Sequence, residues 1–174
     1  ELGPLASGAH RDRVIGYADI ARAEGIEVLL GGAAPANLPD ALAGGYFAQP
    51  TVAVAPDNAR RTTQEEIFGP FATFLRFDSY EEAIEKANGT AFGLVSYLWS
   101  DYLPTVERAT RDLRSGVVWV NTTMTRELRA PFGGYKDSGV GREGGEACLQ
   151  FYTEPKTVTT PSTPMSPRRF GLGT

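Results

Sequence analysis

Thiols and imidazoles are nearly absent from this 174-residue chain, which holds one cysteine, Cys148, and one histidine, His10. A lone cysteine closes no internal disulfide, which fits a reducing compartment, and a cytoplasmic location is expected. His10 stands beside Arg11 without a second histidine or a thiol nearby, so no metal is expected and His10 reads as a surface residue. No apolar run approaches the ~20 residues that cross a bilayer. Excess positive charge is missing too: the net charge is −4 and the pI about 5.1. That excludes the basic footprint of a nucleic-acid binder, so neither a nucleic-acid nor a membrane partner is expected.

What remains is an ordinary apolar content of 41%, punctuated by 20 glycines and 12 prolines. The length suffices for one domain with its own core. Val14, Tyr17, Ala18 and Ala21 recur at helical spacing, predicting a helix over 9–24 that Gly25 stops. A strand follows at 27–30, a Gly/Pro/Ala/Asn loop at 31–45, strand character at 46–55 and a polar run at 57–64. A strand over 71–77 leads into Ser79-Tyr80-Glu81-Glu82, which reads as a capping box for a helix ending at Asn88. A strand at 94–99, a helix at 103–113 with Pro104 in its first turn, and a buried strand at 116–121 come next. Residues 122–141 form a long Gly-rich loop, a length that usually carries function. A helix over 142–152, a terminal strand over 153–160 and a mobile tail from Pro161 complete the reading. Alternating strands and helices predict an α/β fold with a parallel, helix-covered sheet.

Two stretches invite chemistry. Glu65-Glu66-Ile67-Phe68-Gly69-Pro70-Phe71 sets carboxylates and an aromatic at the entrance to a strand. Ligands of α/β proteins collect at strand ends, where a carboxylate can accept from a sugar diol and an aromatic can pack on it. The alternative is a capped turn with Phe68 in the core; Glu65, beside Glu66, is expected to face solvent. Gly139-Val140-Gly141-Arg142-Glu143-Gly144 satisfies G-x-G-x-x-G, but it follows a loop rather than a strand and is rejected as a dinucleotide fingerprint. Cys148 falls inside a helix between Ala147 and Leu149, where a thiol behaves as a small hydrophobe rather than a nucleophile.

The motif at 65–71, with Val117-Val118-Trp119-Val120-Asn121, Pro131-Phe132-Gly133-Gly134-Tyr135-Lys136-Asp137-Ser138-Gly139 and Gly141-Arg142-Glu143, resembles the C-terminal part of the NAD(P)-dependent aldehyde dehydrogenase superfamily from about residue 2 to 160. The resemblance implies a three-layer αβα catalytic domain over 1–150 and an oligomerisation strand over 151–160, with 161–174 as the tail. It implies oxidation of an aldehyde to an acid through a cysteine thioester, with NAD, or NADP, taking the hydride. By the same resemblance Glu66 holds the nicotinamide ribose beside Phe68, and Glu143 relays protons along a water path. The nucleophilic cysteine lies upstream of the matched region. The chain, which starts at Glu1, therefore reads as a fragment that is inactive alone.

In the resembled family, the segment between the Trp-Val-Asn strand and Pro-Phe-Gly-Gly lines the aldehyde tunnel. Here it carries Arg126 and Arg129 ahead of Phe132. Guanidinium groups bind carboxylates bidentately, so a carboxylated semialdehyde is the expected substrate. The alternative is two solvated charges, one paired with Glu127. Arg-Glu-Leu-Arg before Ala-Pro-Phe-Gly-Gly resembles the muconic-semialdehyde branch used in aromatic ring-cleavage catabolism. Other aldehydes, succinic semialdehyde among them, stay open, as does a non-catalytic oligomerisation module. The terminal strand implies a homo-oligomer.

Overall fold

The computed structural model describes residues 2–166 and 171. Helix α1 (Gly8–Ala23) begins where Ser7 accepts from the His10 amide at 3.1 Å. It buries Val14, Tyr17, Ala18 and Ala21 on one face. The left-handed Gly25 turns the chain into β1 (Glu27–Leu30). Strand β2 (Thr51–Val54) pairs antiparallel with β1, and β3 (Phe71–Phe74) pairs parallel with β2. The short helix α2 (Arg61–Gln64) lies between β2 and β3 in the chain. Two apolar clusters join α1 to this sheet: Ala21, Ile26, Ala53 and Ala55, and Val14, Tyr17 and Ile67, with Phe71 packed against both.

A second sheet holds β4 (Val95–Leu98) and β5 (Val117–Val120) in parallel, Tyr97 opposite Trp119. Helix α3 (Tyr80–Asn88) precedes it and α4 (Leu103–Asp112) connects its strands. Ser79 caps α3 by accepting from the Glu82 amide at 3.2 Å, while the Glu82 carboxylate reaches back to the Asp78 amide at 2.8 Å. The predicted capping box therefore closes one residue early. Pro104 sits in the first turn of α4, as its fixed φ favours.

The mixed α/β class with parallel pairing matches the sequence reading, and four details correct it. Strand β1 runs antiparallel, and β3 and β4 do not pair, so the described residues form two sheets rather than one. The strand expected over 46–55 shortens to Thr51–Val54, and that over 71–77 to Phe71–Phe74. The helix expected over 142–152 is only α5 (Ala147–Tyr152), because Gly144 and Gly145 both take positive φ, which breaks a right-handed helix. The strand expected over 151–160 is not formed: Phe151 and Tyr152 end α5, and 153–160 is exposed without regular structure. A ladder satisfies its backbone only against a neighbouring strand, and this segment has none among the described residues. Of the expected mobile tail, 161–166 is exposed, while 167–170 and 172–174 lie outside the described residues.

Candidate active-site surface

Backbone contacts from α1 shape the 65–70 turn. Arg13 donates to the Ile67 carbonyl at 2.7 Å, and the His10 ring nitrogen Nε2 lies 2.7 Å from the Phe68 carbonyl. Ile67 is buried against Val14 and Tyr17, so its neighbours on either side point outward. Phe68 holds a left-handed φ of 57°, uncommon without a glycine, and is 70% exposed. It is not a core residue. Gly69 lets the chain pass α1, since a Cβ there would lie 2.6 Å from the Val14 side chain. Glu65 lies at the solvent-exposed surface, as expected, and there it takes Arg61 at 2.6 Å and the Tyr17 hydroxyl at 2.7 Å. These two donors hold its carboxyl down at about 2, against an ordinary 4.5, the arginine contributing most. His10 is partly exposed, in keeping with a surface residue, and its ring also fastens the turn.

The Glu66 carboxylate accepts no hydrogen bond among the described residues and borders a cleft of about 530 Å³ with Phe92, Gly93, Ser96, Arg114 and Ser138. An open carboxylate beside a cleft fits a ribose diol, whose two hydroxyls need acceptors. A smaller cleft of about 380 Å³ adjoins it, with Leu94 and Ser138 shared between their walls. Phe132, Arg142 and Glu143 line that second cleft.

The Gly-rich loop is tied to the second sheet by its own polar groups. Ser138 Oγ accepts from the Gly93 amide at 2.9 Å, and the Tyr135 amide donates to the Gly93 carbonyl at 2.8 Å. Lys136 reaches the Asn88 and Thr90 carbonyls at the end of α3, at 2.8 and 2.9 Å. Gly116 has no room for a side chain, because a Cβ there would overlap the Gly133 carbonyl. Trp119 ties down the start of the loop by donating to the Thr125 carbonyl at 2.8 Å. Phe132 and Glu143 form an isolated antiparallel bridge with both hydrogen bonds at 2.7 Å.

The two arginines part company here. Arg126 lies over the Phe132 ring, 4.7 Å from its centroid, and gives Glu143 one hydrogen bond at 3.2 Å. Arg129 is 89% exposed and folds onto Glu127 through both Nε and Nη2, at 2.8 and 2.9 Å. Those contacts hold the Glu127 carboxyl down at about 2. Arg126, Phe132 and Glu143 therefore come together, and Arg129 stays outside. Glu143 is not the first-turn residue of a helix, as expected, but precedes α5 by four residues. The thiol of Cys148 is half-buried in α5 and directed at the Gly145 carbonyl, 3.0 Å away. Residues that sequence reasoning passed over, Arg13 and Lys136 among them, act through backbone carbonyls and leave no pattern to read.

Residues 1–158 match the family model described as aldehyde dehydrogenase family. The chain is 44% identical over 160 residues to the 2-aminomuconic semialdehyde dehydrogenase of Bos taurus, covering 91% of itself and 33% of that protein. It is 43% identical over 157 residues to the 2-hydroxymuconic semialdehyde dehydrogenase of Pseudomonas sp. (strain CF600), covering 90% of itself and 32% of that protein. Among solved structures, HpcC from Thermus thermophilus superposes with a TM-score of 0.91 at 39% identity, over 99% of this chain and 34% of its own. The Mycobacterium tuberculosis aldehyde dehydrogenase complexed with NAD+ gives 0.85 at 36% identity, over 95% and 33%. This chain thus spans about a third of the length of the curated relatives it matches. By the family match and its extent, the chain belongs to the aldehyde dehydrogenase family.

Proposed function

We propose that this chain is part of an enzyme that oxidises a carboxylated semialdehyde of the muconic type to the acid with NAD. The observation that carries the reading is Arg126, seated on Phe132 with only one of its N–H donors engaged among the described residues. An arginine carries five such donors in a planar fork, so the others remain for a substrate carboxylate. The names of the relatives, muconic semialdehyde dehydrogenases from animals and bacteria, support the same class. Arg129, already chelated by Glu127, is left as a loop charge.

The residues fit the cofactor. Glu66 would accept from the nicotinamide ribose with Phe68 exposed beside it, and NAD when bound supplies the acceptor for the aldehyde hydride. Charge-assisted bonds of this sort contribute about 1.5–3 kcal/mol each before desolvation. Phe132 would pack beside the reacting thioester. The nucleophilic cysteine comes from the rest of the enzyme, because Cys148 faces a backbone carbonyl inside α5. The 174 residues alone are inactive in this reading. The order of the motifs supports placing them in the C-terminal part of the longer protein. Sequencing on both sides checks that: a catalytic cysteine encoded upstream agrees, and one encoded downstream overturns it. The exposed 153–160 segment is the proposed strand for another subunit of a homo-oligomer, and deleting it should lower the mass in solution.

Steady-state kinetics on the full-length enzyme test the substrate class. Arg126→Gln should cut kcat/KM for a muconic-type semialdehyde at least about tenfold, ~1.4 kcal/mol, and leave an uncharged aldehyde within about threefold. Arg129→Gln should change both by less than about threefold. A loss under about threefold for Arg126→Gln overturns the reading in favour of another aldehyde. Glu66→Gln should raise the KM for NAD.

A further inference from the structure

Glu143 carries a carboxylate beside Arg126, and its backbone is more firmly placed than that of the arginine. Both its amide and its carbonyl are bonded to Phe132 at 2.7 Å, so Glu143 and Phe132 form a single rung. Arg126 comes from the loop after Asn121, where Met124 takes a left-handed φ of 53° and no regular structure holds the chain. The guanidinium meets this rung twice: its Cζ lies over the Phe132 ring, and its Nη2 reaches the Glu143 Oε2 at 3.2 Å. A long side chain on a loop loses rotamer freedom when it binds a ligand, and a partner that fixes it beforehand lowers that cost.

We infer that Glu143 is a positioning residue for substrate recognition, fixing Arg126 over Phe132 so that its free edge meets the substrate carboxylate. This rests on the proposed role of Arg126. The geometry favours positioning over competition, because Glu143 takes one donor of the fork through one oxygen and leaves the rest open. It also sets Glu143 apart from a proton carrier. Its side chain is 67% exposed and committed to a cation, whereas a relay needs a carboxyl free to take a proton from the reacting water.

Two variants of the full-length enzyme decide the matter, assayed with a muconic-type semialdehyde and with an uncharged aldehyde. Glu143→Ala should raise KM for the carboxylated substrate about five- to tenfold with kcat within about twofold, and should leave KM for the uncharged aldehyde unchanged. Glu143→Gln keeps an oxygen at the same reach and should restore most of the affinity, although it carries no exchangeable acid. In an Arg126→Gln background the Glu143→Ala change should add nothing, since the two act as one unit. A fall in kcat for both aldehydes with either variant means a proton relay and overturns the inference. A lower KM in Glu143→Ala means competition and overturns it as well. An equal KM loss on both substrates means a purely structural role, with the same consequence. If Arg126→Gln costs about tenfold while Glu143→Ala costs nothing, only this inference falls; if Arg126→Gln is itself silent, the reading beneath it falls too.

Discussion

The two sheets of this chain are held together by different means. Around β1, β2 and β3, burial dominates: every buried apolar residue among those described, except Ala109, lies in or beside that sheet and α1. Around β4 and β5 the strands have no such core. Phe77 and Trp99 are exposed along an open groove between α3, α4 and β4. What fixes the second half is a set of polar ties, Lys136 to the end of α3, Asn121 to Ser100, and Arg142 to the Gly134 carbonyl at 2.9 Å. The half with a core presents Glu66 on a turn locked by α1, and the half without one presents Arg126 and Glu143 on a loop organised mainly by polar contacts.

That contrast can be broken most severely at Gly116. A methyl there meets the Gly133 backbone, which has no side chain to move aside, so Gly116→Ala should cost about 3 kcal/mol and displace the Phe132 rung. Urea unfolding of the purified protein measures it, and a cost below about 1 kcal/mol would show that the second half yields more easily than its backbone contacts imply. Gly69→Ala probes the cored half, where the obstacle is the buried Val14 side chain rather than backbone; about 2 kcal/mol is expected from the same measurement. Ser79→Ala removes the cap of α3 and should cost about 1 kcal/mol, with a shift of a few degrees in the thermal midpoint.

The smallest effect is the pH dependence at Glu65, because its pair with Arg61 stands in solvent. Its folded carboxyl titrates at about 2, below the ordinary 4.5 of an unfolded chain. The folded state therefore holds the proton less tightly, so this contribution is complete above about 4.5 and fades as pH falls toward 2. Thermal unfolding of Glu65→Gln beside the parent should show a gap near neutral pH that narrows across that window. A gap that stays constant would mean that the charge on Glu65 is not what stabilises the turn.

Much of the scaffold was legible in the residues because it depends on neighbours in the chain. Ser79 as a cap, Gly25 and Gly89 as stops, Pro104 in a first turn and the spacing of Val14, Tyr17 and Ala21 all act over one or two helical turns. The motif at 65–71 announced a strand entrance for the same reason, through Gly69-Pro70. Less legible were features that need a distant partner. The outward turn of Phe68 depends on His10 and Arg13, more than fifty residues away. The break before α5 comes from Gly144 and Gly145, whose backbone lies against the carbonyls of Leu128 and Arg129. Residues 153–160 alternate like a strand yet form none, because a ladder is a property of two segments.

By itself, the sequence determined the helix caps and stops, the α/β alternation and the two motif regions, since local sterics and short-range hydrogen bonds decide those. Only the tertiary structure decided that Glu65 is engaged while Glu66 is open, and that Arg126 rather than Arg129 sits with Phe132 and Glu143. Residues of identical charge a few positions apart do not reveal in the sequence which contacts each will make. Which of them is consumed by a partner depends on the side chain that the fold brings within about 3 Å, and that distance exists only once the chain has closed.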